Sequence, residues 1–427
     1  MKKTEIKLVN GDNAVLAENE KIKVLKSENL GEIELIDGSI AKIKDTKDYK
    51  ALKSKEYNFF FNKKDGYFVR WGFGNGVAEK ITKQEKDLYL LWCNIWEEKF
   101  NLKQFVSDLQ TDSNYFKMVP DILDFEVSTR CDFGCDFCYK SNKDDGEYMT
   151  TENFTKVIDK LPVSICQCAL GIGNVDQPNL FELMDILIDR GIKPNITING
   201  SKLTKEILDN LSSRCGAIAI SHYSDKLTFD SVYELATVRG MKQINIHSFL
   251  SEDTYEKCLG LVEKIEKDER LKDLNAVVFL SMKKRGNALK NNYTSLSKEK
   301  FDYLSNLLLE KNLRFGWDSC SCQNFIRSLD NRNDKDKIIQ YCDPCEASIA
   351  SSYISAGSIK NGQDPQYYPC SFCEGIEYAP GDWKKGISIF QSEDFLKDVW
   401  FAKKTREFAN NNIDCRQKCI SCPVFEI

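Results

Sequence analysis

Cys131-Asp132-Phe133-Gly134-Cys135-Asp136-Phe137-Cys138 sets three thiols within eight residues at the spacing C-x3-C-x2-C. An extended apolar run, Ile122-Leu123-Asp124-Phe125-Glu126-Val127-Ser128, leads into it. Gly134 allows a tight backbone turn, so the three sulfurs can converge on one object. Thiolates suit soft metals and iron–sulfur clusters. A cubane [4Fe–4S] cluster takes four ligands, usually four Cys. Three local thiols without a fourth at matching spacing point to one iron left free for a non-protein ligand. The rival is a three-Cys zinc knuckle, but structural zinc wants four closed ligands and neither His222 nor His247 is close in sequence.

The motif, with aromatic Phe137 just before its last cysteine, resembles the signature of the radical S-adenosylmethionine (radical SAM) superfamily. The resemblance implies a [4Fe–4S] cluster on Cys131, Cys135 and Cys138. It also implies that S-adenosylmethionine chelates the open iron and that Phe137 packs near the adenine.

Composition sets the bounds. The chain has 427 residues, enough for two or three domains. Its net charge of −5 leaves no basic footprint for duplex nucleic acid. No apolar run approaches a membrane span, and the first residues lack an apolar signal core, so a cytoplasmic location is expected. Seventeen cysteines beside two histidines make sulfur the basis of any metal chemistry.

Residues 1–118 read as a β-rich domain. Apolar and polar residues alternate in Glu5–Val9, Lys21–Leu25 and Glu32–Ile36, with hairpin signals at Asn10-Gly11 and Asp37-Gly38. An aromatic hairpin follows, Tyr57–Phe61 and Tyr67–Gly72 around Lys63-Lys64-Asp65-Gly66, then a helix near Asp87–Phe100. The basic, aromatic stretch Lys42–Lys64 has two readings: a docking site for a substrate or its leader, and a solvated sheet face over an aromatic core.

Residues 119–318 alternate strand and helix, which argues for a parallel sheet. After the first strand, Ile165–Leu170, Pro194–Ile198, Ala217–Ser221, Gln243–His247, Ala276–Ser281 and Leu313–Trp317 are strand candidates. Leu180, Leu183, Met184 and Leu187 make a helical face, as do Tyr255, Cys258, Leu259 and Val262. Thr204 and Ser297 are expected N-caps. The resemblance implies an α/β fold, a partial (β/α)6 TIM-like barrel with chemistry at the C-terminal strand ends. A doubly wound open sheet is the alternative from the pattern.

The family places S-adenosylmethionine contacts at the next strand ends. On that likeness Gly171, Gly173 and Asn174 after the second strand, Asn199 after the third and Ser221 after the fourth are cofactor-binding candidates. Lys283-Lys284-Arg285-Gly286-Asn287 resembles a basic loop that holds the cofactor carboxylate; a solvated turn is the other reading. His222 and His247 fall at strand ends and are candidate catalytic residues, able to orient substrate or shuttle a proton.

Residues 319–427 hold nine more cysteines, among them Cys342, Cys373 and Cys415. A hairpin ending Tyr368-Pro369-Cys370 and a terminal Cys419-x2-Cys422 make this tail similar to the SPASM or twitch extensions of radical SAM enzymes, without their full cysteine run. That likeness implies one or two auxiliary Fe–S clusters, the first drawing ligands from Cys320, Cys345, Cys370, Cys419 and Cys422. A second would use Cys342, Cys373 and Cys415. A zinc ribbon is the alternative. The whole layout implies an enzyme that cleaves S-adenosylmethionine and modifies a peptide or protein substrate, fed electrons by a donor such as flavodoxin or ferredoxin. Action on a small molecule and a non-catalytic Fe–S or zinc scaffold are the alternatives.

Overall fold

The computed structural model describes residues 2–7, 13–19, 22–27, 31–36, 38–54, 58–64, 66, 68–71, 83–97, 119–339, 342, 345–377 and 379–412. The chain forms two compact units, residues 1–121 with 161–166, and 122–160 with 167–427. Asn10-Gly11, Asp37, Tyr57, Asp65, Tyr67, Gly72, Cys415, Cys419 and Cys422 lie outside the described residues.

The first unit is antiparallel β with one helix. Strands β1 (Lys2–Lys7), β2 (Asn13–Asn19) and β3 (Ile22–Ser27) form one sheet. Strands β4 (Gly31–Glu34), β5 (Ile40–Asp45), β6 (Tyr49–Lys53), β7 (Asn58–Asn62) and β8 (Phe68–Trp71) form a second, in sequence order. Gly38 makes the β4–β5 turn with φ +77°, a conformation open to glycine. Ala51, Phe60 and Val69 bury against Leu88, Tyr89, Trp92 and Cys93 of α1 (Lys83–Ile95). Four lysines of the basic stretch find partners inside this unit. Lys50, only 1 % exposed, donates to the Ile165 carbonyl at 2.6 Å. Lys44 donates to the Ile95 carbonyl, Lys63 to Asp45, and Lys53 lies over the Trp92 ring.

The second unit opens with β9 (Ile122–Glu126), and strands and helices then alternate: α2 (Thr151–Ile158), β10 (Gln167–Gly171), α3 (Leu180–Asp189), β11 (Lys193–Ile198), α4 (Lys205–Arg214), β12 (Ala217–Ser221), α5 (Asp225–Val232), β13 (Ile244–Leu250), α6 (Tyr255–Ile265), β14 (Ala276–Ser281), α7 (Gly286–Lys290), α8 (Lys298–Glu310) and β15 (Phe315–Trp317). Strands β9 to β15 pair in parallel and in unbroken sequence order. A doubly wound sheet reverses its order at a switch point, so that alternative is excluded. Right-handed crossovers repeated in one direction put every helix on one face and leave the other for a barrel interior. The α/β expectation, with an antiparallel N-terminal sheet before it, is borne out.

Residue alternation follows this geometry. Leu123, Phe125, Cys168, Leu170, Ile196, Ile218, Ile220, Ile244, Ile246 and Phe279 are buried on the helix side. Asp124, Ala169, Asn195, Ser221, Asn245 and His247 take the opposite face; as whole residues they keep some exposure, but the carboxyl of Asp124 and the imidazole of His247 lie deep among protein atoms. Thr204 and Ser297 cap α4 and α8 by accepting from the Ile207 and Lys300 amides. On α6 the buried face runs through Leu261 in place of the expected Leu259. β10 and β15 begin later than their apolar runs. Ile165 and Cys166 turn back into the first unit, where the Cys166 amide bonds the Asp121 carbonyl at 2.8 Å.

After α9 (Cys322–Ser328) and α10 (Lys335–Ile339), β16 (Ser351–Ile354) joins the free edge of β9 in parallel. β17 (Gln366–Tyr368) and β18 (Ile387–Ser388) continue the same sheet antiparallel, and α11 (Lys403–Asn412) ends the described residues. Tyr367, Trp383 and Trp400 bury fully beneath this hairpin. Among the described residues no helix is long and apolar enough to cross a membrane.

Candidate functional site

The cysteine loop leaves the C-terminal end of β9, where helix-covered strands expose their last residues. Its backbone is fastened at both ends. The Cys131 amide bonds the Lys143 carbonyl at 2.8 Å, and the Cys138 amide the Cys135 carbonyl at 3.2 Å. Gly134 turns with φ +67°. From the first turn of α7, the Asn287 amide reaches the Cys138 carbonyl at 2.8 Å and its Nδ2 the Cys135 carbonyl at 3.0 Å. Asn291 Nδ2 holds the Asp136 carbonyl at 2.8 Å.

Two glycines leave room for this loop. A Cβ on Gly173 would stand 2.0 Å from the Arg130 carbonyl oxygen and 2.6 Å from Cys131 Cβ. One on Gly286 would meet the Tyr139 and Cys138 carbonyls at 2.3 and 2.4 Å. The three cysteines stay half-buried. Burial raises the Cys135 thiol, so a metal displaces a proton on binding there.

The cofactor candidates gather at the same strand ends. Asn174 and Asn199 are both buried, and Asn199 Nδ2 donates to Asn174 Oδ1 at 3.2 Å and the Gly173 carbonyl at 3.4 Å. Asn174 Nδ2 reaches Asp132 Oδ1 at 2.6 Å, inside the cysteine loop. Lys202 bridges Asp132 at 2.6 Å and Asp176 at 2.8 Å. Gly171 abuts Glu126 across the β9–β10 ladder, and Ser221 pairs with His247 across β12–β13. Phe137 stacks on Phe249, centroids 4.3 Å apart, and on Tyr223 at 5.9 Å.

The histidines part company. His222 is buried, its ring stacked on Phe229 and its Nε2 3.0 Å from Asp225, at the start of α5. His247 faces the barrel interior, where burial depresses its pKa to about 4 despite Asp318, so its imidazole is neutral. The basic loop is directed at protein. Lys283 donates to Asp318 and to the Ser281 carbonyl at 2.8 Å. Arg285 donates to the carbonyls of Phe372 and, at 2.7 Å, Glu374.

That grip fixes the loop carrying Cys370 and Cys373, whose sulfurs lie 3.6 Å apart. Burial raises the Cys320 thiol well above its usual range, with Cys345 and Cys370 close enough to push the same way. Cys345 and Cys370 thus lie near Cys320, and Cys373 stands beside Cys370. Among the described residues, no three His, Cys, Asp or Glu side chains close tightly enough to hold a single ion.

Sequence reading missed a polar cluster between the two cysteine loops. Lys140 Nζ lies 2.5 Å from both Tyr353 Oη and Glu374 Oε2, and 3.1 Å from Glu126 Oε1. Burial opposes the Lys140 charge, but Glu126 and Glu374 outweigh it and raise its pKa. Burial raises Glu126 too, and lifts Asp124 to about 7 against the pull of Lys140. The cluster borders a cleft of about 380 Å³ lined by Tyr139, Arg285 and Ser371 among others.

Comparison with known proteins agrees with this geometry. Residues 125–230 match the model of the Radical SAM superfamily. The fold resembles Streptococcus suis SuiB bound to precursor peptide SuiA, with TM-score 0.54, 14% identity, and coverage of 90% of this chain and 94% of that one. SuiB bound to S-adenosylmethionine gives TM-score 0.53 and 16% identity over the same shares. No curated protein matches the chain. The segment that matches the Radical SAM superfamily model is the one that carries the cysteine motif.

Proposed function

We propose that this is a radical SAM enzyme that modifies a peptide or protein. The observation that carries it is the Cys131–Cys135–Cys138 loop at the end of β9, with a second cysteine group built onto the same sheet. The first donor set suits a cubane with one open iron: three soft thiols, a glycine turn, and two flanking glycines that bring bare backbone up to the loop. Bound there, the cluster and S-adenosylmethionine would supply reductive cleavage of the sulfonium, giving methionine and a 5′-deoxyadenosyl radical.

The chain's own residues bind and orient. Asn287 and Asn291 hold the loop carbonyls; Gly171, Gly173, Asn174, Asn199 and Ser221 offer backbone and amides for the cofactor; Phe137 offers a ring face. His222, held by Asp225, supports the loop after β12, while His247 presents a neutral imidazole to the interior. Cys320, Cys345, Cys370 and Cys373 suit one auxiliary Fe–S cluster. By domain, residues 1–118 would serve docking, 119–318 the radical chemistry and 319–427 the auxiliary centre. The peptide class draws support from the fold shared with SuiB, which binds a precursor peptide. A flavodoxin or ferredoxin would supply electrons.

The test is anaerobic reconstitution with iron and sulfide, reduction with dithionite, and assay for 5′-deoxyadenosine. The expected result is turnover that rises when short peptides encoded beside the gene are added. Loaded, reduced protein that makes no 5′-deoxyadenosine would overturn the proposal, and stimulation by small metabolites alone would overturn its peptide part.

A further inference from the structure

Tyr223 follows β12 and is fixed from three sides. Its ring lies 4.4 Å from that of Phe133 and 5.9 Å from that of Phe137, both inside the cysteine loop. Lys257 Nζ holds the carbonyls of His222 at 2.8 Å and Tyr223 at 2.9 Å. The phenol oxygen then stands 3.0 Å from Cys135 Sγ. A metal-bound thiolate carries no proton, so the phenol is the donor.

We infer that Tyr223 donates a hydrogen bond to the Cys135 sulfur and makes a cluster held there easier to reduce. The inference rests on the three-cysteine cluster proposed above. Hydrogen bonds to cluster sulfurs tune reduction potential, because the donor dipole stabilises the added negative charge. In a half-buried site that dipole is poorly screened. The balance is simple: one electron enters from the reductant, Tyr223 keeps its proton, and no bond breaks. Tyr223 is a positioning residue that acts through Cys135.

The test is an EPR-monitored redox titration of the anaerobically loaded full chain, with dithionite as reductant. The relevant signal is the one absent from the Cys131/Cys135/Cys138→Ala variant. Tyr223→Phe keeps the ring and removes the donor. It should lower the reduced-to-oxidised ratio about tenfold at fixed poise, a shift of about 59 mV for one electron. Replacing Tyr223 with 3-fluorotyrosine, a more acidic phenol, should shift the potential the other way, which a purely structural role would not do. Should Tyr223→Phe fail to load, the fluorinated form decides by itself. Unchanged potentials would overturn the role of Tyr223 and leave the cluster reading standing. A wild-type chain with no signal dependent on the three cysteines would overturn both.

Discussion

Arg285 Nη2 donates to the Glu374 carbonyl at 2.7 Å, linking the loop after β14 to the loop that carries Cys370 and Cys373. The adjacent Gly286 abuts the Cys138 carbonyl, so one short segment touches both cysteine loops. Arg285→Met keeps the apolar stem and removes the donors. A hydrogen bond from a charged donor is worth about 1.5–3 kcal/mol. Urea unfolding should show a loss in that range. Iodoacetamide labelling of metal-free protein should show a larger rate increase over wild type at Cys370 and Cys373 than at Cys131.

Lys140 is the cation among Glu126, Glu374 and Tyr353. Lys140→Met leaves Glu126, 6 % exposed, without its counter-charge. Breaking a buried pair from one side costs about 3–5 kcal/mol. The deficit in urea unfolding should shrink at low pH, where Glu126 takes up a proton, and Glu126→Gln on the same background should recover part of it.

Asp124 and His247 should oppose one another in pH dependence. Burial raises Asp124 from its ordinary 3.8 to about 7. Its contribution to stability is full below about pH 4 and is lost as pH rises through about 7. Burial lowers His247 from 6.5 to about 4. Its contribution is full above about 6.5 and is lost as pH falls through about 4. Metal-free wild type should therefore show a shallow profile between pH 4 and 7. Asp124→Asn should gain on wild type as pH rises, and His247→Asn as it falls; unfolding midpoints across that range check both.

Gly173 has no room for a side chain beside Cys131. Gly173→Ala pushes its methyl into the Arg130 carbonyl, and overpacking of this kind costs about 1–3 kcal/mol. Iron analysis after reconstitution should show the centre proposed on Cys131, Cys135 and Cys138 depleted, by about four irons at full loss. Gly134→Ala, with open space around its Cβ but a positive φ, should do less.

What was legible in the sequence was local. The C-x3-C-x2-C spacing, the apolar run before it and the caps at Thr204 and Ser297 are short-range patterns fixed by backbone chemistry. β5 and β6 went unread, because Ala41 and Ala51 bury fully without looking like strand anchors and the flanking lysines read as surface. Arg285 and Lys283 read as anion binders, since a basic loop gives no hint that its partners are carbonyls and a carboxylate in residues 318–374. The Tyr223–Cys135 contact joins residues 88 apart, and no periodicity reports on it. Its only signal was an aromatic two residues past a strand end already marked for the cofactor.

The parallel pairing of β16 with β9 carries a mechanical consequence. Ser351–Ile354 share a hydrogen-bonded ladder with Ile122–Phe125, the strand that presents the first cysteine loop. The C-terminal extension therefore cannot swing out as a lid without tearing backbone bonds. The ladder ties the segment that leads to Cys370 to the strand that leads to Cys131, so the two thiol neighbourhoods grow from one sheet.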